Sequence, residues 1–270
     1  MDQRCGIARR CGFRRVRRAR NCRLHDPARR HPFWLRRHTL LPFYFKGTGE
    51  NDYRTAVAQC AFDGTTLSVR EIGRELAMPG GRGLYEPSLA HVGGRFFLTL
   101  RNDDAAYVAA SRDGLNFDAP RRWTWDDGTD LGSYNTQAHW VTHGEALFLV
   151  YTRRGAGNDH VASHRAPLFI AQVDPGRLVV LRATERILVP EHGARLGNFG
   201  VTEVGENETW VTVAEWMQAP APMRIIAPLA GTQVDTIVFD TSSGTFGRVA
   251  HRTQVAEMFF QREGRYQHNI

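Results

Sequence analysis

Lysine is almost missing from this chain: Lys46 stands alone beside 34 arginines. Cysteine is nearly as scarce, with Cys5, Cys11 and Cys22 close to the start and only Cys60 thereafter. One thiol in the body excludes a disulfide framework there. The three early cysteines form no C-x-x-C pair and have no suitably spaced histidine, so no zinc site, and no other metal or cofactor, is expected. No run of about 18 apolar residues occurs, which excludes a membrane-spanning helix from the expected elements. The first residues also lack the apolar stretch of about 7–15 residues that marks a secretory signal, so the compartment is left open. Helical periodicity is absent after residue 40. Gly80-Gly81-Arg82-Gly83 does not have the spacing of a phosphate loop and reads as a connection leading into a strand.

Charge is distributed unevenly. The formal net charge of +7 suggests nucleic acid, but residues 1–46 hold 14 of the 35 Lys+Arg against Asp2 and Asp26 alone. The other 224 residues hold 21 basic and 26 acidic side chains, a net of −5. Residues 1–39 are therefore read as an Arg-rich leader, disordered or not a natural coding segment, and nucleic acid is expected to meet the protein only through it. Residues 40–270 are read as one folded domain, and with 42% hydrophobic residues the chain has enough apolar material for a core.

What fills that domain is a series of short β-branched and aromatic runs separated by Gly, Asp and Asn turns, an all-β pattern. Four of the turns repeat: Asp63-Gly64, Asp113-Gly114, Asp174-Pro175-Gly176 and Asp240 to Gly244, their glycines 50, 62 and 68 residues apart. Upstream of the last three lies a second hairpin, turning at Gly93-Gly94, His143-Gly144 and Gly205-Glu206-Asn207. The repeat predicts a β-propeller of four-stranded antiparallel blades, at approximately 40–75, 85–125, 134–184 and 198–250, at least four of them visible. A β-sandwich shares the short, evenly spaced strands and stays open at this point.

Ser111-Arg112-Asp113-Gly114-Leu115-Asn116-Phe117 resembles the Asp-box, S-x-D-G-x-x-[FW], of the sialidase-like (neuraminidase) superfamily, where it turns the third strand of a blade into the fourth. The resemblance implies a sialidase-type propeller, here an incomplete six-bladed one, and a bacterial-type glycosidase activity. In a propeller the ends of the second strands open on the central depression. Lys46, Arg101, Tyr151 and Glu215 end such strands, with Asn102, Asp103, Asp104 and Arg153 in the loops after them and Glu86 and Asn135 at inner-strand starts. Cations, a phenol and carboxylates converging on one axis suit an anionic carbohydrate.

By resemblance Tyr151 is the nucleophile, Glu215 its base, Arg101 and Arg153 the clamp on the substrate carboxylate, and Asp103 or Asp104 the acid. The family's [FY]-R-I-P motif is not present. Two other readings stay open. A propeller polysaccharide lyase acting on a uronic acid would use His139 with Tyr151 and Arg153, and His164-Arg165 lie in a nearby insertion. A non-catalytic glycan- or protein-binding propeller would use the same face.

Overall fold

The computed structural model describes residues 38–203, 208–217, 232–240 and 245–253. Among them the regular elements are strands, apart from two 3₁₀ turns at Ala162–His164 and Arg182–Thr184. They form four antiparallel sheets: β1 (His38–Phe45), β2 (Arg54–Phe62) and β3 (Leu67–Ile72); β4 (Tyr85–Val92), β5 (Arg95–Arg101), β6 (Tyr107–Ser111) and β7 (Arg121–Arg122); β8 (His139–His143), β9 (Ala146–Tyr151), β10 (Leu168–Asp174), β11 (Val179–Val180) and β12 (Arg186–Val189); β13 (Ala194–Glu203), β14 (Glu208–Met217), β15 (Thr232–Asp240) and β16 (Thr245–Thr253).

Within each sheet most neighbours follow one another in the chain, which antiparallel pairing allows, and the hairpins at Gly93-Gly94 and Gly144-Glu145 are as short as such pairs permit, whereas β9 and β10 are joined by the longer loop 152–167. The sheets do not stack as a pair. Inner strand β4 lies against β8, and β8 against β13, so successive sheets stand side by side around an axis. That arrangement is a β-propeller and excludes the sandwich.

The described apolar residues form three clusters, one for each space between neighbouring blades. Val57, Leu84, Leu98 and Phe117 fill the first, between blades one and two. Phe97, Trp123, Trp140 and Leu149 fill the second, and Val150, Leu168, Phe199 and Val213 the third. Strand β5 shows why a continuous apolar run is needed. Phe96, Leu98 and Leu100 face the first blade while Phe97 faces the third, so both faces are buried and alternation disappears. Two buried indoles are satisfied by hydrogen bonds, Trp123 Nε1 to Thr99 Oγ1 at 3.1 Å and Trp140 Nε1 to the Ser88 carbonyl at 2.9 Å.

The repeated Asp turns join third strands to fourth, and their chemistry recurs. Asp63 Oδ1 accepts from the amides of Thr65 and Thr66, Asp113 Oδ1 from Leu115 and Asn116, and Asp174 Oδ1 from Gly176 and Arg177, all between 2.7 and 3.0 Å. At Gly114 φ is +76°, a backbone conformation that favours glycine, and a Cβ would lie 2.4 Å from Leu40 Cδ1, which would have to shift. Residues 241–244 of the fourth turn and the Gly205-Glu206-Asn207 turn lie outside the described residues.

Blades two and four have four strands. In the first, the Asp63-Gly64 turn joins β2 to β3, so β1–β3 correspond to the second, third and outer strands, and no inner strand stands among the described residues. Strand β1 starts at His38, inside the segment read as leader. In the third, β11 and β12 pair with different halves of β10 and share the outer position.

Candidate functional site at the blade ends

Four described residues other than glycine with positive φ, out of five, meet in one place: Glu86 at +47°, Asn135 at +48°, Ser163 at +55° and His164 at +51°. Backbone strain of this kind costs on the order of 1–3 kcal/mol per residue and persists where surrounding contacts fix it. Here the contacts are visible. Glu86 sits in the irregularity between the Tyr85↔Arg101 and Ser88↔Thr99 pairs of β4 and β5, which turns its carboxylate toward Arg101. The Arg101 guanidinium donates to Glu86 Oε2 at 2.7 Å and to Asn135 Oδ1 at 2.9 Å, and the Asn135 carbonyl accepts from Arg165 at 3.3 Å.

Arg101 is buried, its side chain 9% exposed, and its Nε has no hydrogen-bond partner among the described residues. Burial, followed by the positive charge of Arg101, pulls the Arg165 guanidinium below its ordinary value; Glu86 opposes this and Arg195 of β13 adds to it. Arg101 of the second blade and Arg195 of the fourth thus both lie within electrostatic reach of Arg165.

A second group adjoins the first. Arg82 grips Asp103 with Nε and Nη2 at 2.8–3.2 Å, and the Tyr85 hydroxyl also donates to Asp103. The Arg82 contacts hold the Asp103 carboxyl below the usual carboxylate range, and burial pushes the Tyr85 phenol up. The Tyr85 ring has Arg82 and Arg101 each 4.8 Å from its centroid, and it packs on Tyr53 and Tyr44. Lys46 lies over Tyr53 at 4.3 Å.

The expected alignment of Arg101, Tyr151 and Glu215 needs one correction. Val92 pairs with Arg95 in the second blade and His143 with Ala146 in the third, so the residue that matches Arg101 is Thr152, not Tyr151. A one-residue offset along a strand reverses the face. Tyr151 consequently points into the packing between blades two and three, fully buried, and donates to Glu185 Oε1 at 2.7 Å instead of pairing with Glu215. Burial and then the Glu185 carboxylate push its phenol up. Arg153 closes this group with two bonds to Glu185, at 2.7 and 2.8 Å, and so stands with Tyr151 away from Arg101. Glu215 does match Arg101, since it pairs with Leu196 beyond the strand irregularity of blade four as Arg101 pairs with Tyr85. The Leu196 amide donates to the Arg165 carbonyl at 2.9 Å, which ties Glu215 to the same rim, and Glu215 Oε1 has no partner among the described residues.

The remaining expected residues divide. Asn102 is structural, its amide nitrogen bonded to the carbonyls of Gly80 and Gly83. Asp104 is exposed and supplies a carbonyl to Arg154. His139 faces the fourth blade with its ring 5.1 Å from Phe199, on the opposite side from Tyr151, so the His139–Tyr151–Arg153 grouping of the lyase reading is not assembled. His164 accepts or donates at Tyr134, 2.5 Å away. Arg82, Tyr85, Tyr134 and Glu185 escaped the sequence reading; only the Tyr85-Glu86-Pro87 run, a restricted backbone before an apolar strand, offered a local signal. Among the described residues no group of three His, Cys, Asp or Glu is placed to hold a metal ion, and no helix is long and apolar enough to cross a membrane.

No family profile and no curated protein matches the chain. Solved structures do. The Bombyx mori GH32 beta-fructofuranosidase BmSUC1 is similar at 12% identity over 78% of this chain and 48% of its own, with a TM-score of 0.50. A GH43_1 enzyme from Xanthomonas citri is similar at 12% identity over 78% of this chain and 68% of its own, with a TM-score of 0.48. A Dyadobacter fermentans protein of unknown function has 15% identity over 67% and 46%, with a TM-score of 0.45. The chain spans 46% and 48% of the first two structures it matches. At such identities the likeness is one of fold: the chain is a β-propeller.

Proposed function

We propose that this propeller hydrolyses a glycosidic bond in an anionic carbohydrate held where Arg101 and Arg165 converge. The observation that carries the reading is the meeting of these two guanidiniums at Asn135 with Glu86 as the carboxylate bonded to Arg101. Two guanidiniums held together, one buried and one half-buried, suit a substrate carboxylate, because guanidinium–carboxylate contacts are charge-assisted and planar. The Tyr44, Tyr53 and Tyr85 rings beside it suit the apolar face of a sugar. The neighbour with a TM-score of 0.50 is itself a beta-fructofuranosidase, an analogy of fold only.

Glycoside hydrolysis needs a group that gives a proton to the leaving oxygen. Glu215, the strand partner of Leu196 whose amide is bonded to the Arg165 carbonyl, and with an unpartnered carboxyl oxygen, takes that role in this reading. Glu86 orients the clamp. A sialidase pair of Tyr151 and Glu215 is not part of it, since Tyr151 is buried against Glu185.

The test is a panel of carboxylated and neutral glycosides given to the wild type, Arg101→Ala and Glu215→Gln. Arg101→Ala should weaken binding of the carboxylated members by about 10- to 100-fold, the value of one charge-assisted contact, and leave neutral ones within about twofold. Glu215→Gln should abolish release of reducing sugar while binding survives. Equal effects on both classes of sugar, or unsaturated products absorbing in the ultraviolet, would sink the reading.

A further inference from the structure

Beside the cationic cluster stands a chain of groups that neither the clamp nor Glu215 uses. The Tyr134 hydroxyl is 2.5 Å from His164 Nδ1, and His164 Nε2 is 3.2 Å from Asp159 Oδ1. With Nε2–H donating to the carboxylate, Nδ1 is the ring's acceptor and receives the phenolic proton. The Arg154 guanidinium lies over the Tyr134 ring, 4.0 Å from its centroid, and fixes the ring's position. Tyr134 and His164 are half-buried, and Asp159 is exposed.

Four features of the backbone place this pair deliberately. Tyr134 precedes Asn135, and His164 precedes Arg165, so the Arg165–Asn135 contact pins the two segments together. His164 and Ser163 both hold positive φ, a conformation disfavoured for side-chain-bearing residues, in a 3₁₀ turn. Asn158 anchors the base of that turn, its Nδ2 donating to the carbonyls of Arg153 at 2.9 Å and Ala166 at 2.7 Å. The Arg165 carbonyl is held by the Leu196 amide. A surface histidine needs none of this.

We infer that Tyr134 and His164 form a proton relay in which Tyr134 is an activated phenol. Resting on the hydrolase reading, its role there is to take the proton of the attacking water: the water proton passes to the Tyr134 oxygen as the phenolic proton passes to His164 Nδ1. The water oxygen bonds to the anomeric carbon, the glycosidic C–O bond breaks, and its electron pair leaves on the aglycone oxygen, which takes a proton from Glu215. His164 ends as the imidazolium, balanced by Asp159, and returns its proton to solvent.

The relay is testable without any sugar. An arylsulfonyl fluoride reacts with an activated phenol to form an aryl sulfonate ester, releasing fluoride and a proton. The full chain is treated with the reagent and its tyrosine peptides are quantified by mass spectrometry over time. Tyr134 should be modified faster than Tyr53, and its rate should fall in His164→Gln on the order of 100-fold, as loss of a general base does. Asp159→Asn, which keeps the imidazole, should slow it less, and His160→Gln should leave it unchanged. Modification of Tyr134 at the wild-type rate in both His164→Gln and Asp159→Asn overturns the relay. Should His164→Gln fail to fold, an unaltered rate in Asp159→Asn decides against it. Failure of the glycoside panel alongside fast, His164-dependent labelling would reject the substrate reading and leave the relay standing.

Discussion

Replacing Asp113 by alanine probes how much one turn contributes to a blade. The carboxylate accepts four hydrogen bonds: from Ser111 Oγ at 2.8 Å, from the Leu115 and Asn116 amides at 2.9 and 2.7 Å, and from Asn116 Nδ2 at 2.8 Å. At about 1 kcal/mol net for each, the sum is near 4 kcal/mol. Asp113 is exposed, however, and water substitutes for part of that, while Ser111 Oγ keeps its bonds to the Asp113 and Gly114 amides. A loss of about 1–3 kcal/mol follows, or roughly 2–10 °C in melting temperature for a domain of this size. The pH dependence gives an independent check. Against the opposing effect of partial burial, the bonds from Asn116, Leu115 and Ser111 hold the Asp113 carboxyl well below its ordinary range. A depressed carboxyl pKa stabilises the fold above the unfolded value of about 3.9, and that contribution disappears as pH falls from there through the lower folded value. Melting curves at pH 7 and pH 3 should therefore show the gap between wild type and Asp113→Ala narrowing in acid. An unchanged melting temperature at pH 7, or a gap that widens at pH 3, would refute the reasoning.

Tyr151→Phe should cost about 1 kcal/mol, because the ring still packs and only the bond to Glu185 is lost, and glycan binding and turnover should be unaltered. A collapse in turnover would restore Tyr151 as a nucleophile. Gly83→Ala should destabilise by on the order of 3 kcal/mol, since φ is +75° and the new Cβ would lie 2.2 Å from the Tyr53 carbonyl oxygen. A melting temperature within about 1 °C of the wild type would contradict that contact.

The blades were legible because their signal is local. Asp113 binds amides two and three residues on, and Gly93-Gly94 reverses adjacent strands, so both can be read from neighbours in the chain. The rim was legible only in part. Arg101, Glu86, Asn135 and Arg165 were all singled out by the sequence, and they do meet. Tyr151 does not match Arg101 because the third-blade hairpin turns at Gly144-Glu145 where the second turns at Gly93-Gly94, so glycines in different turn positions give registers one residue apart. Such a slip is invisible in a strand buried on both faces, where no polar residue marks a side. The Tyr134–His164 contact joins residues 30 apart and the Tyr151–Glu185 contact residues 34 apart, through loops whose path no periodicity encodes.

The double-sided burial of β5 makes the length of its hairpin a selector of partners. An in-frame insertion of one codon between Gly93 and Gly94 would advance the strand by one place against β4. Phe96, Leu98 and Leu100 would then point at the third blade, while Phe97, Thr99 and Arg101 would turn to the first. A single added residue would exchange the occupants of two interfaces and carry Arg101 away from Asn135. The 154–166 loop stands outside the strand pairing, and residues added near its exposed Gly155 or Gly157 would leave every strand in register. Mutational tolerance in this molecule should accordingly follow turn length in the inner hairpins and composition in the outer loops.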